Sequence, residues 1–422
     1  MKKLVLSALI ASSLVFTGCF KDDDTPIIIE EITIIQNGNG NGDDCPVVSV
    51  TGAITQNTTW TNDNIYQLNQ KVVVDNGAIL TIEAGTIIKG TAGTGSLASA
   101  LIVARGSQIN AVGTASEPII FTSTSDNITC GETAGTNLDE NDRGLWGGLI
   151  ILGNAPCSFS GDISEAQIEG IPADDTFGLY GGTDAADNSG VISYISIRHG
   201  GALIGEGNEI NGLTLGGVGN GTIINNIEVV ANVDDGIEFF GGTVNASNLL
   251  VWAQGDDALD IDQAYSGTID NAVVVLGDFS DHAFEIDGPE GSATGSFTLQ
   301  NATIIGNTVT ENGEYADYRS GATGFTNNVY AFGFKASSDV ELDNDGVATN
   351  YNTGDLTFGA WEIVLPTGVT DVTSIFVNKA ETVMVTGFGS TATAVTEGAN
   401  TVGATTSSLS WTYANDAGNL GF

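Results

Sequence analysis

Three acidic segments follow one another along the chain at nearly constant spacing. They read DDGIE, DDALD and DHAFE and begin at Asp234, Asp256 and Asp281, which are 22 and 25 residues apart. If each segment occupies the next turn of a coil, equivalent carboxylates lie roughly 5 Å apart and repel one another unless a cation compensates. Ca²⁺ prefers carboxylate and carbonyl oxygens. The segments therefore predict a calcium site, whose candidate ligands are Asp234, Asp256, Asp260, Asp281 and Glu285.

A second interpretation needs no metal. Aspartate tolerates the unusual dihedral angles of tight turns, so the same side chains could simply point into water from exposed turns. Under either interpretation the repeat predicts two columns of acids on successive turns. One column contains Asp234, Asp256 and Asp281, and the other contains Glu238, Asp260 and Glu285.

A longer repeat predicts the elements that would position these acids. Segments that begin at Gly221, Gly242, Gly267 and Gly295 are 21, 25 and 28 residues apart, and glycine (57 residues) far outnumbers proline (7). Repeats of this length, rich in Val, Ile, Thr and Asn, are typical of short strands joined by tight turns. We predict an all-β fold, a right-handed parallel β-helix in one elongated domain with stacked asparagines at its turns. An array of β-sandwiches is the alternative fold.

Several motifs in order resemble a family of secreted bacterial β-helix lipoproteins of the pectin-lyase-like class. They are residues 76–86 (NGAILTIEAGT), 100–106 (ALIVARG), 118–123 (PIIFTS), 145–153 (LWGGLIILG), 197–201 (IRHGG) and 208–214 (NEINGLT). The resemblance extends to about residue 287 and implies architecture and secretion, without a defined activity. We place the β-helix at residues 46–360 and expect residues 361–422 to form late coils or a C-terminal cap.

The acidic segments also resemble the Asn-x-Asp, Asp-Asp and Gly-His-Gly elements of polygalacturonases, which are β-helical pectin hydrolases. By that resemblance Asp235, Asp256 and Asp257 would supply the general acid and the base that activates water, with His282 beside them. The Arg-Ile-Lys element of those enzymes is missing, because the next basic residues after His282 are Arg319 and Lys335.

The N-terminus predicts a secreted, lipid-anchored protein. Two lysines precede an apolar stretch too short to span a bilayer, and residues 17–19 (TGC) resemble a lipobox, in which acylation would fall on Cys19. Residues 1–18 would be the signal peptide, and residues 19–45 the anchor and a flexible linker. The basic-then-acidic run Lys21, Asp22, Asp23 and Asp24 resembles a tag for export to the outer face of the outer membrane. Ile27–Ile35 is either an edge strand or a tether.

The net charge restricts the partners of the protein, and the cysteine content restricts its disulfide bonds. A formal charge of −41 excludes nucleic acid and anionic surfaces as favourable partners, so a membrane would be reached through lipid. Three cysteines other than Cys19 remain in an oxidising compartment. We expect Cys130 and Cys157 to form the disulfide that closes the polar stretch between them.

Three functions are consistent with this sequence. A surface module that binds extracellular glycan is the first, a polysaccharide-degrading hydrolase that uses the stacked aspartates is the second, and a structural coat protein is the third. The first follows from architecture and location. An outer-membrane partner protein is an open question, and calcium is the one cofactor expected.

Overall fold

The computed structural model describes residues 33–35, 45–172, 175–203, 210–310 and 312–422. Its strands up to residue 216 are β1 Thr33–Ile35, β2 Val47–Ile54, β3 Thr58–Trp60, β4 Ile65–Val74, β5 Ile79–Ile82, β6 Ile87–Gly90, β7 Ala100–Val103, β8 Gln108–Val112, β9 Ile119–Ser123, β10 Leu149–Leu152, β11 Ala166–Gln167, β12 Leu179–Tyr180, β13 Gly190–Arg198 and β14 Leu213–Gly216.

The remaining strands are β15 Ile223–Val230, β16 Ile237–Phe240, β17 Asn245–Trp252, β18 Leu259–Asp262, β19 Thr268–Val275, β20 His282–Ile286, β21 Phe297–Ile305, β22 Glu314–Tyr318, β23 Gly324–Phe332, β24 Val340–Leu342, β25 Leu356–Phe358, β26 Trp361–Ile363, β27 Phe376–Asn378 and β28 Ala392–Ala394. The α-helices are α1 Asp345–Thr353 and α2 Tyr413–Ala417. Short 3₁₀ helices cover Gly95–Leu97, Ser160–Asp162, Thr176–Gly178, Val372–Ile375 and Thr406–Leu409.

The strands from β2 onward, apart from the β11–β12 pair, form one parallel sheet that winds into three faces. Sheet 1 runs through β3, β5, β8, the first halves of the long strands β13, β15, β17, β19, β21 and β23, and then β25. Sheet 2 runs through the first halves of β2 and β4, then β6 and β9, the second halves of the same long strands, and finally β26 and β28. Sheet 3 runs through the second halves of β2 and β4, then β7, β10, β14, β16, β18, β20, β22, β24 and β27. The predicted right-handed parallel β-helix is confirmed.

The corner between sheets 1 and 2 is a single residue with positive φ. Asparagine fills this position in five successive turns, namely Asn226, Asn248, Asn271, Asn301 and Asn328. Asparagine adopts this left-handed conformation at low cost, because its short side chain bonds locally. Stacked amides then bond to each other, with Asn271 Nδ2 donating to Asn248 Oδ1 at 2.7 Å. The predicted asparagine ladder is therefore present.

The core of the rod is a set of apolar columns. In sheet 3 one column contains Leu215, Phe239, Ile261, Ile286, Tyr318 and Leu342, all fully buried. Side chains alternate along a strand, so the residue before each of these points outward. The sequence pattern thus fixes which residues of sheet 3 face outward.

Two long connections cover parts of the outer surface. Residues 124–148 place Ile128 against Ile65, Ile87 and Ile120 on the outside of sheet 2. Residues 153–189 place Phe159, Ile168, Ile171 and Tyr180 against the outward side chains of sheet 3, including Ile102 and Ile150. Apolar outward residues are therefore found where a connection covers them.

The predicted disulfide pairing is wrong. Cys130 pairs with Cys45, with Cα atoms 5.7 Å apart, and Cys157 is a free thiol. The connection at residues 124–148 carries Cys130 back over sheet 2 toward Cys45, whereas Cys157 lies in the other connection, over sheet 3, against Phe240. Burial raises the pKa of the Cys157 thiol to about 12.

Of the N-terminal segment before residue 45, the structure describes residues 33–35. The predicted signal peptide, Cys19, Lys21 and Asp22 to Asp24 lie outside the described residues. Thr33–Ile35 pairs antiparallel with Ser49, Val48 and Val47, as an edge strand does. Within the described part of the chain, no helix has the length and apolar character needed to cross a lipid bilayer.

The last segment folds back over the rod. After β28, residues 399–422 run toward the N-terminal end along the outside of sheet 2, where Ala404 bonds to Thr303, Thr405 to Asn271 and Ala414 to Glu228. Leu409 and Ala414 pack on Val230, Leu250 and Val273. Residues 361–422 thus contain late coils followed by a covering segment.

Candidate functional site

Five carboxylates occupy one outward column of sheet 3. This acidic row consists of Glu238, Asp260, Glu285, Asp317 and Glu341, each paired in register with the next. Each is less than 9% exposed, although each points away from the core. Neighbouring strands of a sheet lie about 4.8 Å apart, so the row concentrates negative charge along the axis of the rod.

A second set of acids lies on the turns that lead into the row. Strand register places Asp234, Asp256 and Asp281 at equivalent positions, and Asp235 and Asp257 beside them with His282 next in line. Asn232 shapes the first of these turns, since its Nδ2 donates to the carbonyl oxygens of Ile210 and Asp235. Both stacks predicted from the spacing are therefore present.

Hydrogen bonds link the turn acids from one coil to the next. The Asp257 N–H donates to Asp235 Oδ1 at 2.9 Å, and the His282 N–H donates to Asp257 Oδ1 at 2.7 Å. The same Asp257 oxygen lies 2.8 Å from His282 Nδ1. Asp257 therefore orients the His282 imidazole, and its Oδ1 is committed to that task.

The first three acids of the row, Glu238, Asp260 and Glu285, and the acids of the turns line one cleft of about 550 Å³. Its lining consists of Glu169, Asp234, Asp235, Glu238, Asp256, Asp257, Asp260, Asp281, His282, Glu285 and Arg319. Nine of these residues are acids. Arg319 bonds to Glu285 and, at 2.9 Å through Nε, to Asp287, so that His282 and Arg319 are the counterions within the lining.

Burial raises the pKa of several acids of the cleft. Burial, followed by the charge of Asp260, raises the pKa of Asp235 and of Glu238 well above the usual range. Desolvation, followed by Asp257 and Asp281, raises the pKa of Asp256 to about 6. Burial opposes protonation of His282, but its hydrogen bond to Asp257 and the charge of that carboxylate outweigh burial and raise the imidazole pKa to about 9. The cleft thus favours any positive charge, whether proton or metal ion.

The comparison with known families decides the identity of the domain. A family model described as pectate-lyase-like beta helix domain matches residues 52–415. The chain belongs to this family. No curated protein and no solved structure is significantly similar to it. Membership in the pectate-lyase-like family suggests a carbohydrate-related role, and the match extends well beyond residue 287, where the sequence motifs become weak.

The residues of this pectate-lyase-like domain fit a divalent cation. Potential ligand atoms of Asp234, Asp235 and Asp256 lie within 4.8 Å of one another, as do those of Asp235, Glu238 and Asp260. Asp260 is 8% exposed, and its Oδ1 has no hydrogen-bond partner among the described residues. A buried carboxylate oxygen without a donor is costly unless a cation approaches the group or a proton neutralises it. Asp260 therefore supports the cation interpretation of the acidic segments.

The farther end of the acidic row carries a different balance of charge. Glu314, Asp339 and Glu341 bring ligand atoms within 4.8 Å of one another, but Lys379 contacts both Glu341 and Asp339. Burial, followed by Asp339, raises the pKa of Glu314 to about 7. At this end the Lys379 ammonium neutralises part of the carboxylate charge, whereas among the described residues no donor reaches Asp260 Oδ1.

Sequence reasoning missed four residues of the site. Asp317 and Glu341 extend the acidic row, Arg319 enters the cleft from the next coil, and Glu169 reaches it from the connection over sheet 3. An acid between two apolar residues, as in ADY at Ala316 and VEL at Val340, repeats the pattern of LDI at Leu259 and was a usable signal. No spacing signal could have found Glu169, because its connection lies outside the repeat.

His199, the other of the two histidines in the chain, has a structural role. His199 is 2% exposed, and its Nδ1 lies 2.6 Å from the Asp142 carbonyl oxygen at a turn with positive φ. Five aromatic side chains that could stack on a sugar if they were exposed are buried, namely Tyr180, Trp252, Tyr265, Tyr315 and Tyr318. A sugar-stacking role for that group has no support in the structure.

Proposed function

We propose that this chain is an extracellular carbohydrate-binding β-helix that binds an acidic polysaccharide through calcium held in the cleft of sheet 3. The proposal rests on the charge imbalance of the lining, which contains nine carboxylates and two cationic side chains, His282 and Arg319. A polyanion would be repelled by such a surface, and a divalent cation that shares oxygens with both partners removes the repulsion.

The roles of individual residues follow from their exposure. Asp260 and Glu238 are buried at the base and are the expected inner ligands. Asp256 is exposed at the rim, where a bound cation would remain accessible to a sugar carboxylate. Asp257 positions His282, whose imidazolium adds a positive charge on one side of the cleft. The other ligands predicted from the sequence, Asp234, Asp281 and Glu285, also line the cleft.

Display on the cell surface belongs to the same proposal. It rests on the sequence, in which Cys19 follows an apolar leader and precedes Lys21 and Asp22 to Asp24. Replacing Cys19 with alanine is expected to release the protein from membranes. Replacing the three aspartates is expected to protect it from protease added to whole cells, and unchanged location in both variants would contradict surface display.

Binding is tested with polygalacturonate, in calcium and in chelator. The proposal predicts retention of the protein on the immobilised polymer in calcium and its release by chelator. Asp256→Asn is expected to weaken retention at least tenfold, while Glu397→Gln, an exposed acid outside the cleft, should leave it unchanged. Equal retention of both variants, or retention that chelator does not affect, would contradict the proposal.

A hydrolase is the second candidate, and one observation favours it. His282 contacts Asp257, and Asp256 beside them has a pKa of about 6, a value suited to proton transfer near neutral pH. The assay measures new reducing ends from a panel of acidic and neutral polysaccharides. Release that disappears in Asp256→Asn would establish hydrolysis, whereas bound but intact polymer would leave binding as the function.

A further inference from the structure

A second cavity lies at the C-terminal end of the rod and shares no residue with the acidic cleft. It has a volume of about 380 Å³, and among its lining residues are Tyr351, Asn352, Phe358, Thr386, Ser390 and Thr391. None of its lining residues carries a charge, in a protein whose formal charge is −41. Its size and its mixture of aromatic and hydrogen-bonding groups are typical of small-molecule sites.

The two rings of this cavity are held in place by other rings. Phe388 packs edge-on against Tyr351, at 5.3 Å between centroids, and against Phe358, at 5.2 Å. Phe358 also meets Tyr318 of the core at 4.9 Å. Aromatic pairs at these distances fix each other's orientation, so the ring surfaces are preorganised.

The polar side of the cavity is also fixed. Helix α1 carries Tyr351 and Asn352. It is held to the loop after β27, because Asp345 accepts hydrogen bonds from the N–H groups of Thr382 and Val383. Asn352 Nδ2 donates to the Met384 carbonyl oxygen at 3.0 Å, which leaves its Oδ1 as an acceptor. Thr386, Ser390 and Thr391 are exposed, so their hydroxyl groups are accessible to a ligand.

A glycine allows the loop that carries Ser390 and Thr391 to approach the Phe376 ring closely. Gly389 lines the cavity and has φ of +81°, and a Cβ atom there would lie 2.7 Å from the Phe376 ring. A larger residue would therefore push the loop that carries Ser390 and Thr391 away from the Phe376 ring. The cavity depends on this close packing.

We infer that this cavity binds a neutral saccharide unit. The C–H face of a pyranose ring is apolar and packs on an aromatic ring, while its hydroxyl groups pair with amide and hydroxyl groups. An uncharged lining offers no positive charge to a uronate carboxylate, and the negative field of the protein repels one. This inference goes beyond the function proposed for the acidic cleft, because it needs neither calcium nor an acidic ligand.

The test uses the purified protein in chelator and three neutral oligosaccharides, from cellulose, xylan and mannan, with oligogalacturonate for comparison. Saturation-transfer NMR and calorimetry measure contact and affinity. At least one neutral oligosaccharide is expected to bind with a Kd of roughly 1 mM or below, with transfer to its ring C–H protons, and oligogalacturonate is expected not to bind.

Variants localise the binding. Phe358→Leu keeps the apolar volume and removes the ring face, and it should weaken affinity about tenfold; Thr386→Ala with Ser390→Ala should weaken it several-fold without touching the core. Thr370→Ala, an exposed threonine outside the cavity, and Asp256→Asn in the cleft should change nothing. If no neutral oligosaccharide binds, or if the Thr386 and Ser390 replacements have no effect, the inference is wrong, whatever the outcome with calcium.

Discussion

The outer surface of sheet 3 differs sharply between its two halves. In the N-terminal half the outward position is Ile102 and then Ile150, both buried beneath the connection that carries Phe159 and Tyr180. Through Thr214 the same position continues into the acidic row, of which Glu238, Asp260 and Glu285 line the cleft. The backbone is the same in both halves. The coil fixes the position of each side chain, whereas the residue type and the covering segment determine whether that position is buried in an apolar cluster or lines the cleft.

The largest expected effect on stability comes from placing a carboxylate in the covered half of sheet 3. Ile150→Glu would bury a carboxylate under apolar side chains and without a counterion, and is expected to cost at least about 4 kcal/mol in the free energy of unfolding. Denaturant unfolding measures it. Ile150→Val is the control, with an expected loss of about 1 kcal/mol. Equal losses in the two variants would mean that the cover does not distinguish the halves.

The reverse exchange makes the acidic half apolar. Asp260→Val removes a buried carboxylate that faces other carboxylates, so in chelator the variant is expected to gain roughly 1 to 4 kcal/mol of stability. Calcium should then stabilise the wild-type protein and not the variant. Thermal unfolding in chelator and in calcium checks both points, and a variant less stable than the wild type in chelator would contradict this view of the row.

The acidic half should also give an unusual pH dependence. Burial raises the pKa of Asp262 and of Asp317 to about 7, and desolvation raises that of Asp256 to about 6. A raised pKa favours the folded state below the unfolded value of about 4 and loses that contribution as the pH rises through the folded value. In chelator the Tm is therefore expected to fall by several degrees between pH 4 and pH 7, and calcium should reduce the fall. A Tm that rises over this range would be contrary to the account.

The smallest expected effect concerns Arg319, one of the two counterions in the lining of the cleft. Arg319 is partly exposed, so Arg319→Gln should lower stability in chelator by about 1 kcal/mol or less. The same change removes a competing positive charge and should strengthen calcium binding. Lys335→Gln is the control, because Lys335 does not line the cleft. Weaker calcium binding in Arg319→Gln would show that the guanidinium supports the site instead of competing with the metal.

Much of this comparison could be predicted from the sequence, because a coil places equivalent residues in register. The spacing of Asp234, Asp256 and Asp281 was enough to predict the stack, and apolar neighbours fixed which side of the strand each acid occupies. The repeat carries no information on segments that leave it. The Cys45–Cys130 pairing, the arrival of Glu169 and the covering segment at residues 399–422 depend on such segments.

Calcium titration of the purified protein by calorimetry tests the central claim most directly. The wild-type protein and Glu397→Gln should show saturable binding, with a Kd of about 0.1 to 1 mM if the site resembles those of other extracellular modules. Asp260→Asn keeps the shape of the side chain, removes its charge and is expected to weaken binding at least tenfold. Absence of binding to the wild-type protein, or equal binding to Asp260→Asn, would contradict the claim that the acidic half of sheet 3 is a cation site.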